Sequence, residues 1–167
     1  MLRSEKEKTL SYVVFGIYSA LLIWLVLFKF SVDLSELPSI RGINLIPFYY
    51  DRETGMHLRE VVYNIIVFVP LGVYVQILAK HLKSVAKLAA ILSVSLLFEV
   101  VQYIFAIGAS DITDIIGNTL GGVLGIFLCV LTKKIAPQKY ILIFNILGIL
   151  IETAAVVLLV LLMVSNG

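Results

Sequence analysis

The sequence predicts an all-α, polytopic integral membrane protein, a helix bundle with about five transmembrane helices. Of its 167 residues, 60% are apolar and 14% are charged, whereas a soluble domain has about 45–50% apolar and about 25% charged residues. The mean hydropathy is +1.05. A chain with so few charges cannot cover a water-facing surface, which excludes a soluble enzyme and argues against a nucleic-acid partner.

Five apolar stretches are long enough to cross a membrane, since a helix needs about 20 residues for about 30 Å of hydrocarbon. They span approximately residues 9–28, 61–79, 88–107, 113–132 and 140–164. The first stretch follows Arg3, Lys6 and Lys8 but lacks a small-residue cleavage site, which favours a retained signal anchor. Because the stretches show no repeat and no long polar insertion, residues 1–167 are expected to form a single transmembrane domain.

The distribution of basic residues predicts the orientation, because short loops rich in Lys and Arg stay in the cytoplasm. With five helices, nine of the thirteen basic residues fall on one side: Arg3, Lys6, Lys8, Lys80, Lys83, Lys87, Lys133, Lys134 and Lys139. The opposite side carries Lys29, Arg41, Arg52 and Arg59 among the acidic residues Asp33, Glu36, Asp51, Glu53 and Glu60. The N-terminus is therefore predicted inside and the C-terminus outside.

Two polar side chains lie in the outer half of the third stretch, where burial is costly and a function is the first hypothesis. Glu99 and Gln102 are three residues apart, so they share one face of a helix and can bind one partner or one ligand. For Gln102 alone, an interhelical hydrogen bond is the alternative.

The start of the fourth stretch is the strongest local pattern in the chain. At about 100° per residue, Asp111, Asp114 and Asn118 fall in a narrow arc. Asp111 stands at the expected N-cap, so capping and ligand binding both stay open for it. Asp114 and Asn118 lie deeper and are expected to bind a ligand. Close helix packing is expected at three glycines that recur every four residues, Gly117, Gly121 and Gly125.

The second stretch adds candidates at its outer boundary. Glu60 and Asn64 share a face, and Asn64 is expected in the ligand-binding site. Arg59 points away from that face, but its long side chain can reach a carboxylate of a neighbouring helix or a lipid phosphate. Pro70 removes one backbone hydrogen bond and should kink the helix within the membrane.

The segment at residues 43–50 is too short to span the membrane and too apolar for a solvated linker. We expect it to lie in the membrane interface or to fold back over the bundle. An aromatic belt and a lid over the polar site are both compatible with its sequence.

The remaining ionisable residues predict neither a metal site nor a cofactor. His57 and His81 fall on opposite sides of the membrane, and Cys129 is the single cysteine. Glu152 lies in the middle of the last stretch on the same side as Asn145, so it is expected to face the bundle.

Five motifs occur in the order found in the VanZ-like membrane proteins, and over about residues 12–132 the chain resembles this family. The motifs are Asn44-Leu-Ile-Pro-Phe48, Arg59-Glu with Asn64-Ile-Ile-Val-Phe-Val-Pro-Leu-Gly72, Phe98-Glu-Val-Val-Gln102, Asp111-Ile-Thr-Asp114 and Asn118-Thr-Leu-Gly-Gly122. Many relatives carry an arginine three residues before the first aspartate, where this chain has Gly108. If that arginine neutralises the carboxylates in those relatives, the resemblance implies that Arg59 or Arg41 does so in this chain, or that no residue does.

The resemblance implies a bacterial plasma-membrane protein linked to lowered susceptibility to the lipoglycopeptide teicoplanin, without an established enzymatic mechanism. Three hypotheses follow. The protein binds an envelope lipid, a lipid precursor or the antibiotic at an outward-facing polar site. Alternatively, Glu99 and Asp114 act as general acid and base on an envelope lipid. In the third hypothesis it transports a lipid or small solute, with Glu152 as an inner step.

Overall fold

Five long helices dominate the computed structural model, which describes residues 2–28, 40–48 and 57–166. In chain order the elements are α1 (Leu2–Phe28), β1 (Ile40–Asn44), α2 (His57–Leu78), α3 (Ser84–Phe105), β2 (Ile107–Asp111), α4 (Ile112–Ile135) and α5 (Tyr140–Asn166). All five helices are long and apolar enough to cross a membrane, which confirms the predicted membrane fold.

Two short strands were not expected from the sequence. The third stretch was predicted to be helical as far as residue 107, but α3 ends at Phe105. Ala106 then adopts a left-handed conformation (φ 56°), with its backbone N–H directed at carbonyls of the last helical turn. From there β2 runs parallel to β1, with Ile107 opposite Ile40 and Asp111 opposite Asn44. The pairing provides hydrogen-bond partners for backbone N–H and C=O groups of both segments.

The backbones of α2 and α4 are in direct contact. A Cβ atom at Gly121 would overlap the carbonyl oxygen of Ile65, and one at Gly125 would overlap that of Val69. On the other helix, a Cβ atom at Gly72 would overlap the Gly122 carbonyl. Small residues thus allow the two helices to approach as closely as their backbones permit.

Helix α1 packs against α2 beside the proline. Helix α2 continues through Pro70, which lacks the N–H that would bond to the carbonyl four residues earlier. At the neighbouring carbonyl, Val67 accepts a hydrogen bond of 2.8 Å from the Tyr18 hydroxyl. This hydrogen bond connects α1 to α2 one residue after Ile66, whose carbonyl lacks a helical donor because of Pro70.

The two ends of the bundle differ in structure. One end carries β1, β2 and the start of α4, and we refer to it as the strand end; the other carries the turns at 79–83 and 136–139. Helix α1 begins at the turn end, because Ser11 contacts Asn145 near the start of α5. Lys87 lies in the first turn of α3 rather than in a loop, is buried, and donates to Gln76 Oε1 at 2.8 Å.

Candidate functional site

Polar side chains from several elements meet at the strand end. We define the strand-end cluster as Asn44 of β1, Asn64 of α2, Glu99 of α3, Asp111 of β2, and Thr113 and Asp114 of α4. The β1–β2 pair and the beginning of α4 bring these residues together from positions up to 70 residues apart in the sequence.

Asp111 connects the strand pair to α4. Its backbone is extended (φ −125°), and its Oδ1 accepts a hydrogen bond from the Thr113 N–H at 2.7 Å, so it caps α4. Its second carboxylate oxygen, Oδ2, accepts from Asn44 Nδ2 at 2.9 Å. The strand register explains this contact, because Asn44 and Asp111 are direct partners. One carboxylate thus satisfies a helix terminus and holds β1 in place.

Glu99 is buried beneath this junction, with 5% of its surface exposed. Its Oε2 accepts a hydrogen bond of 2.9 Å from the backbone N–H of Asp111, and its own carbonyl accepts from Ser110 Oγ at 2.8 Å. The carboxyl group therefore lies against the N-terminus of α4, where the helix dipole favours negative charge.

Asp114 faces α2 one turn further along. Its Oδ1 accepts a hydrogen bond of 2.7 Å from Asn64 Nδ2. The next turn of α4 carries Gly117, where an added Cβ would lie 3.3 Å from the Asn64 Cβ. The close approach of the two helices, which the glycines permit, thus keeps the Asn64–Asp114 hydrogen bond short.

Asn118 faces a different helix from Asp114. It is 2% exposed, and its Nδ2 donates to Ser95 Oγ of α3 at 3.0 Å. Its Oδ1 is buried without a hydrogen-bond partner among the residues that the structure describes. The predicted arc is therefore divided between two neighbouring helices, and its deepest member retains a free acceptor.

Two predicted site residues, Gln102 and Arg59, do not belong to the strand-end cluster. Gln102 Nε2 donates to the Val26 carbonyl of α1 at 3.0 Å, which matches the interhelical alternative rather than a partner shared with Glu99. Arg59 is exposed, and its side chain forms no hydrogen bond or ion pair with any residue in the described ranges. Some predictions concern side chains outside the described residues: Lys29, Asp33, Glu36, Arg41, Tyr49, Tyr50, Asp51, Arg52, Glu53 and His57.

The described residues after β1 fold back onto the strand-end cluster, which agrees with the expectation that this segment folds back over the bundle. Asn44 Oδ1 accepts from the Ile46 N–H at 3.1 Å, which forms a tight local turn. The Phe48 N–H then donates to Thr113 Oγ1 at 3.0 Å, with Phe48 in a left-handed conformation (φ 55°). Sequence reasoning did not select Asn44, Thr113 or Ser95 as site residues, although the first two lie within the family motifs.

The cluster is suited to hydrogen bonding rather than to metal binding. Its three carboxyl groups each accept a hydrogen bond from an amide or backbone N–H. Within the described part of the chain, no group of three or more His, Cys, Asp or Glu side chains could hold a metal ion. Acceptor-rich side chains of this kind match ligands that present hydroxyl, amide or ammonium donors.

The fold and the cluster define a polytopic helical membrane protein with polar side chains gathered at one end of its bundle. The family model VanZ/LLP1 matches residues 15–133, and the chain belongs to this family. Protein VanZ of Enterococcus faecium is 42% identical over 134 residues, which cover 79% of this chain and 81% of that protein. No solved structure matches the chain.

Proposed function

We propose that this VanZ-family membrane protein lowers the susceptibility of its host to teicoplanin by binding a ligand at the strand-end cluster. The ligand is an envelope-lipid head group, an envelope-lipid precursor or the antibiotic itself. The protein acts in the bacterial plasma membrane as a single domain of five helices, and binding rather than catalysis accounts for its effect.

The buried Glu99 carboxyl group carries this proposal. A carboxyl group at membrane depth persists only when partners offset its burial. Here β2 and the N-terminus of α4 provide the Asp111 N–H at 2.9 Å, and Asp111 itself is held by Asn44. Packing alone does not require a carboxyl group here, because an apolar side chain at position 99 would fill the same space without needing a hydrogen-bond partner.

The orientation follows from the positions of the basic residues relative to the cluster. Lys80, Lys83 and Lys139 lie at the turn end, opposite the strand end. Since basic segments stay in the cytoplasm, the strand end faces outward and the N-terminus faces inward. The cluster is then accessible to outer-leaflet lipid head groups and to an antibiotic that approaches from outside.

The positions of the hydrogen-bond acceptors support a ligand with several hydrogen-bond donors. Asp111 and Asp114 lie where α4 enters the bundle. One turn below Asp114 lies Asn118 Oδ1, which has no hydrogen-bond partner in the described part of the chain. A ligand with several hydroxyl or amide donors would find acceptors at both levels. Sugar-bearing lipids and glycopeptides have such donors, which supports both ligand classes.

Resistance measurements with matched acid-to-amide variants test this proposal. In a teicoplanin-susceptible host, Glu99→Gln should lose most of the tolerance, whereas Glu5→Gln should keep it at the same expression level. Glu5 is an exposed carboxylate that pairs with Lys8 at 2.9 Å on the surface of α1, so its loss removes a charge but not a buried site. Full tolerance in Glu99→Gln would refute the binding site.

Mass spectrometry of lipid extracts separates binding from enzymatic modification. Cells that express the protein should contain the same lipid species as cells that do not. A lipid species that appears or disappears with the protein, and reverts with Glu99→Gln, would instead show that the cluster carries out acid–base chemistry.

A further inference from the structure

A groove between α1 and α5 lies apart from the strand-end cluster. It encloses about 410 Å³ and is lined by Leu10, Val13 and Ile17 of α1 and by Glu152, Thr153 and Val156 of α5, among others. Every residue that α1 contributes to this lining is aliphatic. The α5 wall lies beyond residues 15–133, the part of the chain that the family model matches.

Glu152 is the one ionisable side chain in the lining of this groove. Only 7% of its surface is exposed, and its Oε1 is buried without a hydrogen-bond partner among the described residues. The nearby Tyr74 hydroxyl is directed elsewhere, at the Phe144 carbonyl (3.3 Å) and at Asn145 Oδ1 (3.5 Å). Glu152 also forms no ion pair with a basic side chain of the described ranges.

The position of Glu152 along α5 places it deep in the membrane. The spanning segment runs from Tyr140 to Leu161, so at about 1.5 Å per residue Glu152 lies about 18 Å from one end and about 14 Å from the other. A carboxyl group at this depth needs a proton or a cation to compensate its charge. Asn145, a buried polar residue two turns earlier in α5, is by contrast hydrogen bonded to protein atoms.

We propose that this groove binds a small lipophilic cation, whose apolar body fills the space between α1 and α5 while its positive charge pairs with Glu152. Two features favour this occupant over a lipid acyl chain: the carboxyl oxygen that is buried without a protein partner, and the absence of a described basic side chain paired with it. A hydrocarbon chain would fill the volume but leave the negative charge of Glu152 uncompensated. The groove acts independently of the strand-end cluster.

Binding of tetraphenylphosphonium to the full chain in lipid nanodiscs provides the test. This probe is a rigid, apolar, monovalent cation without N–H or O–H groups, so its binding reports charge pairing and apolar burial alone. Equilibrium dialysis should show saturable binding of one probe per chain. Glu152→Gln should weaken this binding by about 30-fold or more, because it removes one member of a desolvated charge pair.

Three variants make the result specific. Glu5→Gln and Glu99→Gln should bind the probe as the parent chain does, since both carboxylates lie outside the groove. Val13→Trp should also abolish binding, because it fills the groove while leaving Glu152 in place. Thermal unfolding of each variant verifies that the fold is retained, and Val13→Trp still tests the site if Glu152→Gln fails to fold.

Three outcomes would overturn the proposal. They are the absence of saturable binding, binding that Glu152→Gln leaves unchanged, and equally tight binding of the neutral triphenylphosphine oxide. A second copy of the chain is the competing occupant. Efficient disulfide cross-linking of Val157→Cys in a Cys129→Ala background, without probe binding, would assign the groove to that copy instead.

Discussion

Replacing Gly121 by alanine should separate α2 from α4 and disrupt the strand-end cluster from a distance. An ideal Cβ at this position would lie 2.9 Å from the Ile65 carbonyl carbon and 3.0 Å from its Cα, and would overlap the carbonyl oxygen. Non-bonded carbon atoms prefer separations of about 3.5–4.0 Å. The two backbones must therefore move apart by about 0.5–1 Å, since neither contact involves a flexible side chain.

This movement has a calculable cost in stability. Overpacking a close contact typically destabilises a fold by about 1–3 kcal/mol, while alanine in a helix gains about 0.5–1 kcal/mol over glycine. We expect Gly121→Ala to lose about 1–2 kcal/mol in the free energy of unfolding. The same displacement would lengthen the Asn64–Asp114 hydrogen bond from 2.7 Å to the upper limit of normal hydrogen-bonding distance or past it, so teicoplanin tolerance should fall as well.

Gly16→Ala is the matched control, because nothing lies within 4 Å of a Cβ at Gly16 in α1. That variant should be neutral or more stable by about 0.5 kcal/mol and keep full tolerance. Equilibrium unfolding in mixed detergent micelles measures both variants. If Gly121→Ala proved as stable as Gly16→Ala, the direct backbone contact between α2 and α4 would be refuted.

Three other predictions address the cap, the orientation and the outer segment. Asp111→Ala should cost about 1 kcal/mol of stability through loss of the N-cap, whereas Asp111→Asn should keep the cap, as equilibrium unfolding of both variants would measure. In a cysteine-free background, an impermeant thiol reagent on intact cells should label a cysteine at Ser39 but not one at Lys83; the reverse pattern would overturn the orientation. Teicoplanin tolerance should survive Asp51→Asn and Glu53→Gln at matched expression, because the sequence predicts a solvated loop for both carboxylates and such charges contribute little; a loss as large as that from Glu99→Gln would contradict this.

The helices were predictable because their cause is local. A stretch of about 20 mostly apolar residues is sufficient to predict a spanning helix, whatever its neighbours are. Each of the five predicted stretches forms a long helix in the structure, although α2 and α3 end one and two residues before the predicted limits. Helical periodicity also placed Asp114 and Asn118 correctly on α4. It could not specify which neighbour each side chain meets, and so it did not reveal that one faces α2 and the other α3.

The strand pair could not be predicted from local pattern. Ile40–Asn44 and Ile107–Asp111 are short, and each contains a glycine, which weakens strand propensity. Their pairing depends on contact between segments more than 60 residues apart. An alternation of polar and apolar residues within one segment does not indicate such a contact. Gln102 illustrates the same limit, because its partner Val26 depends on how α1 docks against α3.

The charge of Glu99 and its hydrogen bonding can be tested separately, because its Oε2 accepts a hydrogen bond from the Asp111 N–H. In Glu99→Gln the amide oxygen can still accept from the Asp111 N–H, so the junction between β2 and α4 should survive while the charge is lost. Glu99→Ala removes the acceptor as well, leaves a buried donor unsatisfied, and should cost about 1–3 kcal/mol in stability. Comparing the two variants distinguishes a ligand site from a structural support. If tolerance falls equally in both while Glu99→Gln unfolds like the parent chain, the charge acts on the ligand. If tolerance follows stability instead, the carboxyl group only supports the fold.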